Sequence, residues 1–439
     1  AGYTVDNSCR FNDGDSAELT LTPTAGNQKT WTFSFWCKRS TVGTTDLIHS
    51  ILEAGYDSVS PWFVFTFNND HLNVASTAGV SVGWATAAKF RDTNAWYHVV
   101  LVVDTTQSTS SISNGSTDRF RIYVNGVQQT LSGGSVPSHN ADLQWSSNVG
   151  SHLFGASYGQ YFDGYVAEVF FIDGTALAPT AFGEFDDDSP TIWKPKDCKD
   201  DLTFGNEGFY LDFADSGDLG DDESGNTNDW TEANLAAADQ ATDTPTNNFA
   251  VLNPLASYGV GHTWSEGNTV ISQTSGSWDN SMATIGVDSG LWYWEVKADG
   301  AGYWIGGITD STVPTSELGN DAGHIGYKSN GEVKKANSVV DNFTTWTDGD
   351  ILCVALDKTN NNIYFRKNDG SWEDSGDPTS GATGTGAISL PTTTTIFPAV
   401  SMWRTSGTTS VLVNFGGSSG FAVSSGNADA DGYGNFEYA

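Results

Sequence analysis

Apolar and polar residues alternate in short runs along most of the chain. Residues 32–39 (TFSFWCKR) set Phe33, Phe35 and Cys37 against Thr32, Ser34 and Trp36. A period of two with aromatic rings predicts a half-buried strand. Residues 62–67 (WFVFTF) repeat the pattern. Residues 97–104 (YHVVLVVD) are apolar on both faces, which predicts a central strand covered on each side. Residues 120–129 (FRIYVNGVQQ) read as a hairpin, because Asn125 and Gly126 supply the two positive-φ positions of a tight type I′ turn. Residues 165–173 (YVAEVFFID) close this first series, which spans 1–185.

Residues 186–255 change character. Asp186, Asp187 and Asp188 form an acidic turn, and Pro190, Pro195, Pro245 and Pro254 interrupt the segment. Residues 208–213 (GFYLDF) predict a short strand within it. The segment is expected to be an acidic connector that lends this strand to a neighbour. From 256 to 439 the strand pattern returns as LWYWEV, YWIGGIT, HIGYKS, ILCVALD, NIYFRKN, IFPAVSMW and SVLVNFG. Turn residues separate these runs at fairly regular spacing, as in a sandwich. In the first run Trp292, Trp294 and Val296 are expected to face a core, and Tyr293, Glu295 and Lys297 to face water. The predicted fold class is all-β: two antiparallel β-sandwich, jelly-roll-like domains joined by the connector.

Charge narrows the partners. The 439 residues hold 53 Asp and Glu against 19 Lys and Arg, a formal net charge of −34. Such a surface repels phosphate backbones and anionic lipid, so neither nucleic acid nor membrane is an expected partner. Any tight homo-oligomer is expected to be salt-sensitive or cation-bridged. No apolar run approaches the length of a membrane-spanning helix. Cys9, Cys37, Cys198 and Cys353 are far apart and form no metal or redox motif.

Candidate chemistry is sparse, and the chain reads as no enzyme. A retaining glycosidase needs two carboxylates about 5 Å apart, which on one strand means a spacing of two or four. Glu168 and Asp173 are five apart, so they are expected on opposite faces. The seven histidines form no HExxH or His/Cys cluster, and His98 reads as a core residue. Calcium is the cofactor considered, because hard cations collect loop oxygens. Asp215, Asp221, Asn226 and Asn228 are the expected ligands, with a solvated acidic turn as the alternative. For ligand recognition, Trp62, Tyr158, Trp278 and Trp372 are loop or strand-end aromatics with polar neighbours. Such rings beside hydrogen-bonding groups are what a sugar or protein ligand requires.

Three resemblances follow from the residues. Asn94-Ala-Trp-Tyr-His-Val-Val-Leu-Val-Val-Asp104, Ile122-Tyr-Val-Asn-Gly126 and Phe162-Asp-Gly-Tyr-Val-Ala-Glu-Val169 resemble laminin-G/concanavalin-A-like jelly rolls. Gly290-Leu-Trp-Tyr-Trp-Glu-Val296, Ile305-Gly-Gly-Ile308, residues 349–357 (GDILCVALD), Ile363-Tyr-Phe-Arg-Lys-Asn368 and Val413-Asn-Phe-Gly416 resemble the SPRY domain. The insert from Trp372 to Thr395 departs from that pattern. The tandem, with Asp6-Asn-Ser-Cys-Arg-Phe-Asn12 and Gly183-Glu-Phe-Asp186, is similar to appendage and tail-fibre-associated proteins of marine bacteriophages. That resemblance implies a non-catalytic, extracellular virion-surface protein that binds host-surface glycan or protein. The alternatives are a structural fibre or capsid decoration protein contacting only other virion subunits, and an extracellular carbohydrate-active enzyme.

Overall fold

Strands carry the fold: among the described residues every helical segment is a single three-residue 3-10 turn. The computed structural model describes residues 2–43, 48–55, 62–76, 82–108, 112–113, 116–148, 150–391, 394–429 and 432–439. The chain divides into two units, Ala1–Asn248 and Phe249–Ala439.

In the first unit, one sheet runs from edge to edge through Gln240–Ala241, Ser8–Phe11, Gly164–Asp173, Thr30–Arg39, Trp96–Asp104, Phe120–Val124, Ser116–Thr117 and Ile112–Ser113. The other runs through Leu131–Ser132, Val82–Thr86, His71–Ser76, Phe63–Asn68, Ile48–Ala54, His152–Phe154, Glu18–Leu21 and Thr231–Ala233. The strands are antiparallel. Phe33, Phe35 and Leu101 of one sheet share a buried core with Phe63, Phe65, Phe67 and Leu72 of the other. Asn125 (φ +49°) and Gly126 (φ +75°) make the tight hairpin turn.

Thr30–Arg39 is buried on both faces rather than one. Phe33, Phe35 and Cys37 enter the core between the sheets. Trp36 points the other way and stacks on His98, with ring centroids 4.8 Å apart. Trp96–Asp104 is likewise double-faced: Val99, Leu101 and Val103 face the main core, while Val100 and Val102 join Phe170, Ile172, Phe182, Phe204 and Tyr210 in a second one.

Phe204 and Tyr210 of that second core lie in the segment expected as a connector, so the expectation for 186–255 is corrected. Phe209–Leu211 pairs with Gly164–Asp173, Thr231–Ala233 with Glu18–Leu21, and Gln240–Ala241 with Ser8–Phe11. The segment through Asn248 is part of the first unit. The physical reason is cover: a sheet apolar on both faces must bury both. A buried ion pair fixes the last stretch, with Lys38 Nζ 2.7 Å from Asp243 Oδ2 and both side chains 1% exposed. The indole N–H of Trp96 donates to the other Asp243 oxygen at 3.0 Å.

In the second unit, Leu291–Thr309 and Phe397–Asn414 pair along most of their length, with register shifts at Gly300 to Gly302. Residues 291–297 also pair with Ile351–Asp357, and residues 305–308 with Ile325–Lys328. One strand thereby serves two parts of the sheet and wraps a core of Trp294, Val296, Trp304, Tyr327, Trp346, Leu352 and Phe365.

The alternation in residues 292–297 holds only in part. Trp294 and Val296 are buried, but Trp292 lies at the strand's start, 46% exposed. Glu295, expected in water, is fully buried. Its carboxylate accepts the backbone N–H groups of Glu437 (3.0 Å) and Tyr438 (2.7 Å), the Asn414 amide and the Tyr293 hydroxyl. Phe421, Val423 and Tyr438 pack on this face.

Replacing Asp243 by Ala leaves the Lys38 ammonium buried without its carboxylate. The expected loss is about 3–5 kcal/mol, measured by urea unfolding. The double variant Lys38→Met/Asp243→Leu is expected to recover most of it.

Candidate ligand-binding site

The outer face of the Phe63–Asn68 sheet carries the site. Phe63, Phe65 and Phe67 enter the core, so alternation turns Val64, Thr66 and Asn68 outward. On the next strand Leu72 and Val74 belong to the core, which turns Asn73 and Ala75 out. On the other side, Ile48 and Ser50 precede a bulge between Ser50 and Leu52. A small hairpin, Ala156–Ser157 with Gln160–Tyr161, folds against Ile48–Ala54. These elements enclose a groove of about 400 Å³. Its lining includes Trp62 and Tyr158 beside Ser50, Thr66, Asn68, Asn73 and Gln160. Among the described lining residues there is no carboxylate, imidazole, thiol or ammonium.

Tyr158 is 65% exposed and has φ +47°, with Gly159 following at φ +71°. A side chain in that left-handed region costs about 1–2 kcal/mol. The backbone is held there by a buried carboxylate: the Tyr158 N–H donates to Glu53 Oε2 at 3.1 Å, and Glu53 is 2% exposed. The strain aims an aromatic ring at the groove's rim.

The four aromatic residues singled out from sequence do not form one site. Trp62 and Tyr158 share the groove. Trp278 is in the second unit, packed edge-on against Trp403 at 5.6 Å. Trp372 stacks under the Arg366 guanidinium at 4.8 Å. The sequence reading missed Asn68, Asn73, Thr66 and Gln160. The signal for the strand residues was present, since alternation that buries Phe63, Phe65 and Phe67 exposes the residues between them.

The acidic loop is organised by a residue outside the expected calcium set. Asp222 accepts the backbone N–H groups of Tyr210, Ser224 and Asn228, each at 2.9 Å, and the Ser224 hydroxyl. Asn226 and Asn228 donate their amides to the carbonyls of Gly205, Asn206 and Gly208. Asp215 caps its own turn at Gly217. Burial, then the neighbouring carboxylates Glu223, Asp229, Asp218 and Asp215, push the Asp221 carboxyl up. Among the described residues no group of three or more His, Cys, Asp or Glu is placed to hold a metal ion. Hydrogen bonds made by Asp222, Asn226 and Asn228 shape this loop.

Glu168 and Asp173 take different hydrogen-bond partners. Glu168 occupies a bulge with φ +53° and accepts hydrogen bonds from the hydroxyls of Tyr3 (3.0 Å) and Tyr210 (2.7 Å). Asp173 ends the strand and takes the Asn27 and Glu207 N–H groups. Burial pushes Glu168 from 4.5 up to about 7. His98 is held neutral, driven down to about 3 by burial, and its Nδ1 accepts the Trp193 indole N–H.

Residues 12–180 match the model of the concanavalin A-like lectin/glucanases superfamily. Residues 291–416 match that of the SPRY domain. The two matched segments are similar to domains that are typically protein- or carbohydrate-binding modules. Among solved structures it is similar to the SPRY domain of human HERC1, at 18% identity over 37% of this chain and 96% of that one (TM-score 0.31). It is also similar to a native heptameric SAP-like pentraxin from Limulus polyphemus, at 15% identity over 40% of this chain and 80% of that one (TM-score 0.29). No curated protein matches the chain.

A raised carboxyl favours its protonated form in the fold. The stability from Glu168 is therefore full below about pH 4.5 and is lost as pH rises through about 7. Glu168→Gln should match the parent's urea midpoint at pH 4 and exceed it at pH 8.

Proposed function

We propose that the chain is a non-catalytic binding protein whose first unit takes a glycan in the groove beneath Tyr158. The lining carries the reading: aromatic rings beside neutral amides and hydroxyls. The C–H face of a pyranose packs on an aromatic ring, and its hydroxyls bond amides and hydroxyls. A neutral ligand also escapes the repulsion of a chain with a net charge of −34. The groove offers no carboxylate pair for hydrolysis among its described lining residues, which favours binding over a carbohydrate-active enzyme.

We place this activity outside the cell, on a virion surface, where the chain would adhere to host-surface glycan or protein. The resemblance to phage appendage proteins supports this setting. The second reading is a decoration protein whose sandwiches contact other virion subunits or further copies of the chain. The open groove favours the first, because a purely structural sandwich has no need of a strained aromatic at a groove's rim.

Calorimetry with a panel of neutral oligosaccharides tests the groove. Trp62→Ala and Tyr158→Asn are each expected to weaken binding at least tenfold, about 1.4 kcal/mol. Tyr158→Asn should unfold no earlier than the parent, since Asn tolerates the left-handed turn. Unchanged affinity in both variants would reject the site. Immunogold labelling of virions tests the setting. Gold on tail fibres is the expected result, even labelling of the capsid supports decoration, and no labelling removes the virion reading.

A further inference from the structure

One buried lysine of the first unit faces both a carboxylate and an amide. Lys38 Nζ lies 2.7 Å from Asp243 Oδ2 and 2.9 Å from Asn248 Oδ1. The local chain brings the two acceptors together. Thr244 and Asn247 exchange backbone hydrogen bonds across the Pro245-Thr246 turn, so Asp243 and Asn248 emerge side by side. The Thr244 hydroxyl ties the turn to the Val5 carbonyl at 2.8 Å, and the Ser8 hydroxyl donates to the Asp243 carbonyl at 2.6 Å. Lys38 comes from inside the sheet, where Trp96 and Tyr165 are its cross-strand partners. Cross-strand partners share a face, and here both rings are buried in one apolar cluster with Val5 and Trp36. The ammonium lies 5.8 Å from the centre of the Tyr165 ring.

Both acceptors are oriented. The Trp96 indole N–H holds Asp243 Oδ1 at 3.0 Å, which leaves Oδ2 to the lysine. Asn248 Nδ2 donates to the Asn94 carbonyl at 2.9 Å. A carbonyl only accepts and an ammonium only donates, so these two contacts fix which end of the amide meets Lys38. A C=O bond is about 1.2 Å long, so the amide carbon Cγ lies within about 4.1 Å of Nζ. Lys38 and Asp243 are buried, while Asn248 is exposed. The amide nitrogen therefore has a way out to solvent. Burial drives the Lys38 ammonium below its ordinary value, against the pull of Asp243 and Asp92. A desolvated lysine is an activated nucleophile, and held contact with the amide supplies proximity.

We infer that Lys38 and Asn248 join in an intramolecular isopeptide bond, with Asp243 as the proton carrier. Asp243 Oδ2 takes one proton from the ammonium, which cancels two buried charges. The freed Nζ lone pair attacks Cγ of Asn248, forming the N–C bond and moving the C=O pair onto Oδ1. Collapse of the tetrahedral carbon restores C=O and breaks the Cγ–Nδ2 bond. Asp243 gives its proton to the departing Nδ2 and takes the second proton from Nζ. The products are a secondary amide and ammonia, with one proton left on Asp243. No oxidant or co-reactant is required. The bond ties Thr30–Arg39 to the last residue of the first unit, 210 residues further along the chain. Tension arriving along the chain from residue 249 then loads an inner strand instead of the edge strand Gln240–Ala241. The bond consumes the ion pair, which persists only in chain of full mass.

The test uses the full-length chain, folded and incubated at neutral pH. Intact mass is measured under denaturing conditions and followed by peptide mapping. The parent is expected to be lighter than its sequence by one ammonia, with a branched peptide joining Lys38 to residue 248. Lys38→Met, Asp243→Asn and Asn248→Ala are each expected to keep the full mass. Asp243→Asn keeps the shape of the carboxylate but carries no proton. Asn248 is exposed, so Asn248→Ala keeps the test open if the two buried variants fail to fold, and urea unfolding checks each. The crosslinked parent should also have a higher urea midpoint than Asn248→Ala, because a closed loop restricts the unfolded chain. A parent of full mass after incubation overturns the proposal. So does an ammonia loss that maps elsewhere or persists in Asn248→Ala.

Discussion

A sheet that is apolar on both faces governs the first unit. Val99, Leu101 and Val103 bury against the partner sheet, and Val100 and Val102 need a second cover. The covering residues arrive late in the chain: Phe182, Phe204 and Tyr210 lie on the outer face. Three short strands after residue 200 then extend the edges of the two sheets or pair at the bulge in Gly164–Asp173. Edge pairing and face cover answer the same demand, since open edges and open apolar faces both invite association. The groove depends on this arrangement. Among the described residues of this unit, alternation leaves the outer face of the sheet containing Phe63–Asn68 polar, and the groove forms there.

Acidity serves the fold as well as the surface. Asp243 joins Lys38 and Trp96, Asp222 gathers three backbone N–H groups, and Glu295 anchors two N–H groups of the segment that covers it. A buried carboxylate offers several acceptor positions, so one residue can tie distant segments together. In an irregular, glycine-rich segment such as 205–229, that role falls to the Asp222 carboxylate. Glu168 marks the limit of the device. Two phenols are its donors, and among the described residues no cation pairs with it, so burial wins and the group favours its neutral form.

Strand identity was legible because period-two alternation is a local signal, and the Asn125-Gly126 turn followed from two residues alone. What was not legible is which faces receive a second cover. Trp36 and Glu295 read as surface residues, yet both are buried by segments far away in sequence. Residues 186–255 read as a connector because prolines and acids break the alternation; their burial depends on partners in Gly164–Asp173 and Ser8–Phe11, which no local window contains. The candidate site followed the same rule. Trp62 and Tyr158 stood out as isolated rings, but their meeting in one groove depends on how the 156–161 hairpin folds against Ile48–Ala54.

Tyr158 shows why such a site differs from ordinary surface. A two-residue hairpin turn with both φ angles positive is best served by Asn-Gly, as at Asn125-Gly126 in this same unit. At 158–159 the first position is a tyrosine, and the conformation is held by the hydrogen bond to Glu53. Stability alone would select Asn at both turns. The tyrosine sacrifices a little of that stability and places an exposed ring over neutral amides and hydroxyls. Local strain of this kind persists where the surrounding structure over-determines it and the strained residue has a use.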